Sequence, residues 1–152
     1  MGRQAVILAG GRGTRLGEIT RQTPKPLLQV DGQPFITILI EELLRFGFDN
    51  IVVLVGEYKD AFGRALQEHP TPGAHVKLIS EPEPAGTAGA LIYAANFLKS
   101  RFLLLNGDSL FSINILSLTA DRNTNPWLAC IALRNVPDTS RYGAVRLVRR
   151  NI

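Results

Sequence analysis

Short apolar runs alternate along the chain with stretches of helical spacing. QAVILA (4–9) is brief, apolar and stopped by glycine, which predicts a buried strand. In ITILIEELLRFG (36–47) the apolar residues recur at intervals of three and four, which predicts an amphipathic helix with Gly47 as its C-terminal cap. The same alternation continues with IVVLV (51–55) as a strand, DAFGRALQEH (60–69) as a helix and HVKLIS (75–80) as a strand. TAGALIYAANFLK (87–99) then reads as a helix and RFLLLN (101–106) as a strand. After a less regular stretch, WLACIAL (127–133) and YGAVRLV (142–148) predict two further strands. Between the first strand and the first helix lies TPKPLLQVDGQPF (23–35), whose prolines forbid a regular helix and whose Asp31-Gly32 pair signals a turn.

Strands alternating with helices imply an α/β fold: a doubly wound, mostly parallel sheet with helices on both faces. In such sheets ligands bind outside the carboxyl ends of the strands. Three loops leave strand ends carrying chemically suggestive residues, GGRGTR (10–15), EPEPAGTAG (81–89) and NGDS (106–109). Their convergence on one edge says more than any one of them.

A length of 152 residues is about that of one domain and suffices for a real core. No apolar run approaches the roughly 18 residues of a membrane span, and AVILAG (5–10) is too short for a signal-peptide core. The single cysteine, Cys130, excludes an intramolecular disulfide and suits a reducing cytoplasm. Its apolar neighbours predict a buried core thiol. The net charge of +4 is concentrated: Arg3, Arg12, Arg15, Arg21 and Lys25 face only Glu18 in the first 28 residues. A second basic cluster, Arg141, Arg146, Arg149 and Arg150, lies near residue 150. The first 34 residues contain no aromatic, so the early cluster suits a small anion better than a nucleic-acid track.

The stretch LAGGRGTRLG (8–17) combines Gly10, Gly11, Gly13 and Gly17 with Arg12 and Arg15. It fails as a dinucleotide fingerprint, because the third glycine of G-x-G-x-x-G is Leu16, and it lacks the G-K-[ST] ending of a Walker loop. What remains is a strand, a flexible turn, and Thr14 and Arg15. Glycines let backbone N–H groups approach phosphate oxygens, and arginine forks over two of them. A purely structural turn is the alternative. Lys25, between Pro24 and Pro26, adds a point charge on a stiffened segment. Asp108, after an apolar strand and Gly107, can hold Mg²⁺ together with phosphate oxygens, or can merely cap the next segment. Glu81 can accept hydrogen bonds from a nucleobase edge while Gly86 lets a ring lie against backbone; a proline-stiffened acidic loop is the alternative. His69 and His75 read as surface residues.

With those residues placed, the chain resembles the sugar-1-phosphate nucleotidyltransferases. LAGGRGTRL, PKPLL, EPEPAGTAGA, LNGDS and RYGAV occur in order and cover almost the whole sequence. The resemblance implies a glycosyltransferase-A-like nucleotidyltransferase core that uses Mg²⁺ to join a nucleoside triphosphate to a sugar 1-phosphate, releasing pyrophosphate. It implies that Leu8, Ala9, Gly10 and Gly11 line the base and ribose, while Gly13, Thr14 and Arg15 hold the triphosphate. It further implies that Lys25 bridges phosphates of nucleotide and sugar, that Glu81 and Gly86 face the base, and that Asp108 binds Mg²⁺. Asn106 and Gly143 would meet the sugar. Arg15, Lys25 and Asp108 are the expected catalytic residues. The wording of EPEPAGTAGA and LNGDSLF looks most like mannose and heptose 1-phosphate guanylyltransferases, so GTP and a manno-configured sugar are expected, with uridylyltransferases of amino sugars as the rival. The expected partners are these two small molecules, with no nucleic acid or membrane, in a cytoplasmic and possible homo-oligomeric protein.

Family members continue considerably further than Ile152, and the missing part normally supplies a second metal-binding aspartate. Neither Asp121 nor Asp138 has the surroundings expected of it. The expectation is therefore a single nucleotidyltransferase domain, residues 1–152, lacking its C-terminal part. A nucleotide-binding or regulatory module without turnover is the rival class. A Rossmann dehydrogenase is disfavoured by the failed fingerprint.

Overall fold

The computed structural model describes residues 2–11, 23–81, 86–120, 128–140 and 143–146. The chain divides into two compact units, Met1–Ile113 and Asn114–Ile152.

In the first unit the elements run β1 (Arg3–Leu8), β2 (Gln29–Val30), β3 (Gln33–Pro34), α1 (Phe35–Arg45), β4 (Phe48–Leu54), α2 (Lys59–Glu68), β5 (His75–Ile79), α3 (Gly86–Tyr93) and β6 (Leu103–Asn106). Among the described residues, β5, β4, β1 and β6 form one sheet in that order, and every pairing is parallel. The register sets Leu8 opposite Leu54 on one side and Asn106 on the other, so the strands end together. Because each crossover between parallel strands is right-handed, β1–α1–β4 and β4–α2–β5 wind one way. The return across β1 to β6 then sends α3 to the other face. The expected doubly wound sheet with helices on both faces is what forms.

Packing follows the two-residue alternation of the strands. Val6, Val52, Leu54 and Ile79 share a cluster with Ala90 of α3 and Ala94 just beyond it, edged by Leu8, Leu91, Leu98 and Phe102. The alternate residues Ala5, Ile7, Ile51 and Val53 are fully buried. α1 packs on β4 and buries Ile36, Leu39, Ile40 and Leu43 at its helical spacing. Each such side chain contributes roughly 1.5–3 kcal/mol of transfer free energy.

Local signals act as expected at several ends. Gly47 adopts φ +77 and its N–H donates to the Leu44 carbonyl at 2.9 Å, closing α1. Asp31 and Gly32 both have positive φ, 49 and 83, as a two-residue hairpin between β2 and β3 demands.

Two expectations are corrected. The helix expected over 87–99 stops at Tyr93 and gives way to a 3-10 turn at Ala95–Phe97. The buried side chain of Gln4 explains this. Its Nε2 donates to the Phe97 carbonyl at 2.9 Å and to Asn50 Oδ1 at 2.8 Å, and its Oε1 accepts the Lys99 N–H at 2.7 Å. The bond from the Lys99 N–H takes a donor that a helix through residue 99 would have used, and the bond to the Phe97 carbonyl ties the turn to β1. The strands expected at 127–133 and 142–148 are absent over their described parts, 128–133 and 143–146, which have no regular structure. Leu128 and Ile131 are exposed there, and Cys130 is exposed instead of buried. An apolar run becomes a strand only when a neighbour supplies its ladder, and no described residue does so.

In the second unit, Asn114 starts the short helix α4 (Ser117–Ala120): its Oδ1 accepts the Leu116 N–H at 3.0 Å and its carbonyl accepts the Ser117 N–H at 3.0 Å. Asp138 accepts the backbone N–H and the hydroxyl of Ser140, each at 2.8 Å, and these bonds hold its carboxyl below the usual range. Among the described residues no helix is long and apolar enough to cross a membrane.

Candidate nucleotide site

The strand order makes the site. Beyond β1 the chain steps outward through β4 to β5, then returns to the opposite side of β1 as β6. β1 and β6 are thus neighbours at the point where the strand order reverses, the edge at which ligands bind in open α/β sheets. Ladder-like hydrogen bonds continue past the strands and fix the loops: Ala9 N–H to the Leu54 carbonyl at 2.8 Å, Gly107 N–H to the Leu8 carbonyl at 2.8 Å, and Val55 N–H to the Ile79 carbonyl at 2.9 Å.

Three glycines sit here where a Cβ would be crowded. A Cβ on Gly107 would lie 3.0 Å from the Leu8 carbonyl oxygen and 3.1 Å from Ile7 Cγ2. A Cβ on Gly10 would lie 3.0 Å from the Gly56 nitrogen and 3.1 Å from Glu81 Oε1. A Cβ on Gly56 would in turn lie 3.2 Å from the Gly10 carbonyl oxygen. The carboxylate of Glu81, carried just past β5, thus reaches over the end of β4 and rests against Gly10. This brings together two residues that the sequence assigned to nucleotide binding from separate motifs.

The second convergence is electrostatic. Pro24, at φ −56 and ψ 143, leads into a 3-10 turn at Lys25–Leu27 whose Pro26 and Leu27 are buried. That turn packs against α1. The turn is closed by the Leu27 N–H on the Pro24 carbonyl at 2.9 Å and the Leu28 N–H on the Lys25 carbonyl at 3.0 Å. So anchored, Lys25 brings its Nζ to 3.6 Å from Asp108 Oδ2, with side-chain exposures of 24% and 43%. The other carboxylate oxygen, Asp108 Oδ1, accepts the Ser109 hydroxyl at 3.1 Å. At such exposure the pair adds at most about 1 kcal/mol to stability. Its significance is the open, charged corner it makes.

Leu8 and Gly10 are half-buried, Ala9 is buried, and Gly11 is exposed. Asn106 and Asp108 are exposed at the end of β6. Gly86 starts α3 at φ +70, open to solvent. Gly13, Thr14 and Arg15 lie outside the described residues. Gly143 is exposed in the second unit. Gly56 and Ser109 were not picked out from the sequence. Gly56 directly follows the apolar run of β4, so a glycine at a fourth strand's carboxyl end was the signal available.

Among the described residues no group of three His, Cys, Asp or Glu could hold a metal ion. Asp108 is a single accessible carboxylate. It fits a cation such as Mg²⁺ that takes one or two carboxylates and fills its shell with water and substrate phosphates.

The profile of the nucleotidyl transferase family matches residues 4–151. The chain is 32% identical over 149 residues to the D-glycero-alpha-D-manno-heptose 1-phosphate guanylyltransferase of Campylobacter jejuni, covering 98% of this chain and 65% of that protein. It is 32% identical over 143 residues to the mannose-1-phosphate guanylyltransferase of Mycobacterium tuberculosis, covering 93% of this chain and 40% of that one. Among solved structures it is similar to HddC from Yersinia pseudotuberculosis complexed with GMP-PN, with TM-score 0.71 and 30% identity over 81% of this chain and 55% of that chain. The chain thus spans two thirds or less of the length of these relatives. With the doubly wound sheet and the profile over nearly every residue, the chain belongs to the nucleotidyl transferase family, with sugar-1-phosphate nucleotidyltransferases as its relatives.

Proposed function

We propose that this chain carries the nucleotide-binding half-site of a sugar-1-phosphate guanylyltransferase, which joins GTP to a manno-configured sugar 1-phosphate and releases pyrophosphate. The observation that carries this reading is the pairing of Lys25 with Asp108 at 3.6 Å, at the same sheet edge where Glu81 lies against Gly10. Leu8, Ala9, Gly10 and Gly11 would receive the base and ribose. The carboxylate of Glu81 can accept from both N1–H and the exocyclic amine of guanine, whereas uracil offers a single N–H on that edge. Gly86, without a side chain, would leave room for the ring.

A sugar-phosphate oxygen is already ionised at neutral pH and needs no general base to attack the α-phosphorus. The work left to the protein is alignment and charge stabilisation. Gly13, Thr14 and Arg15 would hold the triphosphate, Arg15 offsetting charge that builds on the departing pyrophosphate. Lys25 would lie between the phosphates of the two substrates, and Asn106 and Gly143 would bind sugar hydroxyls. A divalent cation, Mg²⁺, held at Asp108 would supply further neutralisation of the phosphates. A free cysteine, Cys130, fits a cytoplasmic location.

Uridylyl transfer is the second reading. It is favoured by 30% identity over 142 residues to the UTP–glucose-1-phosphate uridylyltransferase AglF of Haloferax volcanii, covering 92% of this chain and 58% of that one. Pyrophosphate release from GTP or UTP, each with mannose, heptose, glucose and N-acetylglucosamine 1-phosphates, tests both, run beside calorimetric binding of the nucleotides. Release with GTP and a manno-sugar is the expected result. Release with UTP alone would replace the first reading with the second. Nucleotide binding without any release would leave a binding module.

A further inference from the structure

Both oxygens of the Asp108 carboxylate are already engaged by donors of the chain itself: Oδ1 by the Ser109 hydroxyl at 3.1 Å and Oδ2 by the Lys25 ammonium at 3.6 Å. The two donors differ in kind. A hydroxyl rotates away freely and can present a lone pair to a cation. An ammonium has no acceptor, and beside a divalent cation it is a like charge at close range. Pro24, the 3-10 turn at Lys25–Leu27 and the buried Pro26 and Leu27 fix the backbone of Lys25, so its ammonium leaves Asp108 only by swinging its own flexible stem. A cation arriving at Asp108 must therefore drive the ammonium away or share the carboxylate with it.

We infer that Lys25 is an internal competitor for the Asp108 cation site, so that a divalent cation binds weakly until a nucleotide's phosphates draw the ammonium off. This rests on the proposed function for the cation at Asp108 and for the identity of the anion that relieves the competition, while the charge conflict rests on the Lys25–Asp108 geometry. Triphosphate and cation are then coupled through a single side chain: each raises the affinity for the other by the same factor, as linkage requires. A cation without nucleotide is largely kept out, and the site assembles when both charges come together.

The probe is Mn²⁺ alone, titrated into the full chain without nucleotide and read by its electron paramagnetic resonance signal. Lys25→Met should bind Mn²⁺ roughly tenfold more tightly than the unaltered chain, since a like charge within a few ångströms is removed. Lys25→Arg keeps the charge and should bind no better than the unaltered chain. Asp108→Asn should lose the binding in either background. Equal Mn²⁺ affinity in Lys25→Met and the unaltered chain would overturn the inference, and so would tight binding that survives Asp108→Asn. Should Lys25→Met lose its folded circular dichroism spectrum, Lys25→Gln carries the same comparison. Adding a non-hydrolysable GTP analogue should then bring the unaltered chain up to the affinity of Lys25→Met. Absence of any nucleotide binding at that step would count against the proposed function, while the nucleotide-free comparison would still decide the competition.

Discussion

Gly10 is the residue at which backbone geometry and recognition meet. Its missing Cβ leaves the space that the Gly56 nitrogen and Glu81 Oε1 fill, at 3.0 and 3.1 Å from where that atom would stand. Gly10→Ala should push the Glu81 carboxylate aside and weaken nucleotide binding by about tenfold, the equivalent of one misplaced charged hydrogen bond. Calorimetry with GTP checks this, with circular dichroism to confirm that the fold is kept. Arg15 is argued from charge. If it faces the charge that builds on pyrophosphate, Arg15→Ala should lower kcat by roughly 10²-fold or more with a small change in nucleotide affinity. An unchanged kcat would remove it from the chemistry. Individual residues were legible in the sequence where a type is chemically singular, as with Lys25 between two prolines or Asp108 after a strand. Gly56 was not, because its purpose is to leave room for Gly10, which lies far away along the chain.

Helices and strands were legible where the pattern is local. The unbroken burial of β1 and β4 on both faces and the spacing of α1 follow directly from QAVILA, IVVLV and ITILIEELLRFG. Gly47 and the Asp31-Gly32 pair mark their ends because the backbone there needs positive φ. Gly47→Ala should therefore destabilise the chain by about 1 kcal/mol, seen as a lower denaturant midpoint at an unchanged slope. The end of α3 was not legible, since it is set by Gln4, a residue far away in the sequence and nearly fully buried. Gln4→Ala would strip partners from the Phe97 carbonyl and the Lys99 N–H. It should cost about 1 kcal/mol, the net worth of hydrogen bonds to such partly exposed groups. Hydrogen exchange at the Lys99 amide should quicken in that variant. The expected strands over 127–133 and 142–148 failed for a related reason. Apolar runs carry a tendency to extend, but a ladder needs a partner that periodicity within the run cannot supply.

Across the whole molecule, the site depends on strand order more than on any loop. β5 lies two strands from β1, yet Glu81 reaches Gly10 because the ends of β5, β4 and β1 are held level by their register and by the bonds from Ala9 and Val55. Asp108 meets Lys25 because β6 returns to the far side of β1, beside the turn that follows its loop. A nucleotide seated there would touch the ends of both outer strands and of β1. Such a ligand stabilises the sheet as a unit, by about 2.7 kcal/mol at a free concentration of about one hundred times Kd. GTP should accordingly raise the thermal midpoint of the chain by several degrees, and UTP at the same concentration by less. Glu81→Gln sharpens the comparison. The amide has one accepting oxygen where the carboxylate has two and loses the charge that strengthens both bonds to guanine. The GTP shift should shrink towards the UTP shift in that variant, while the UTP shift stays nearly the same. An equal loss for both nucleotides would mean that Glu81 supports the loop at Gly10 without reading the base.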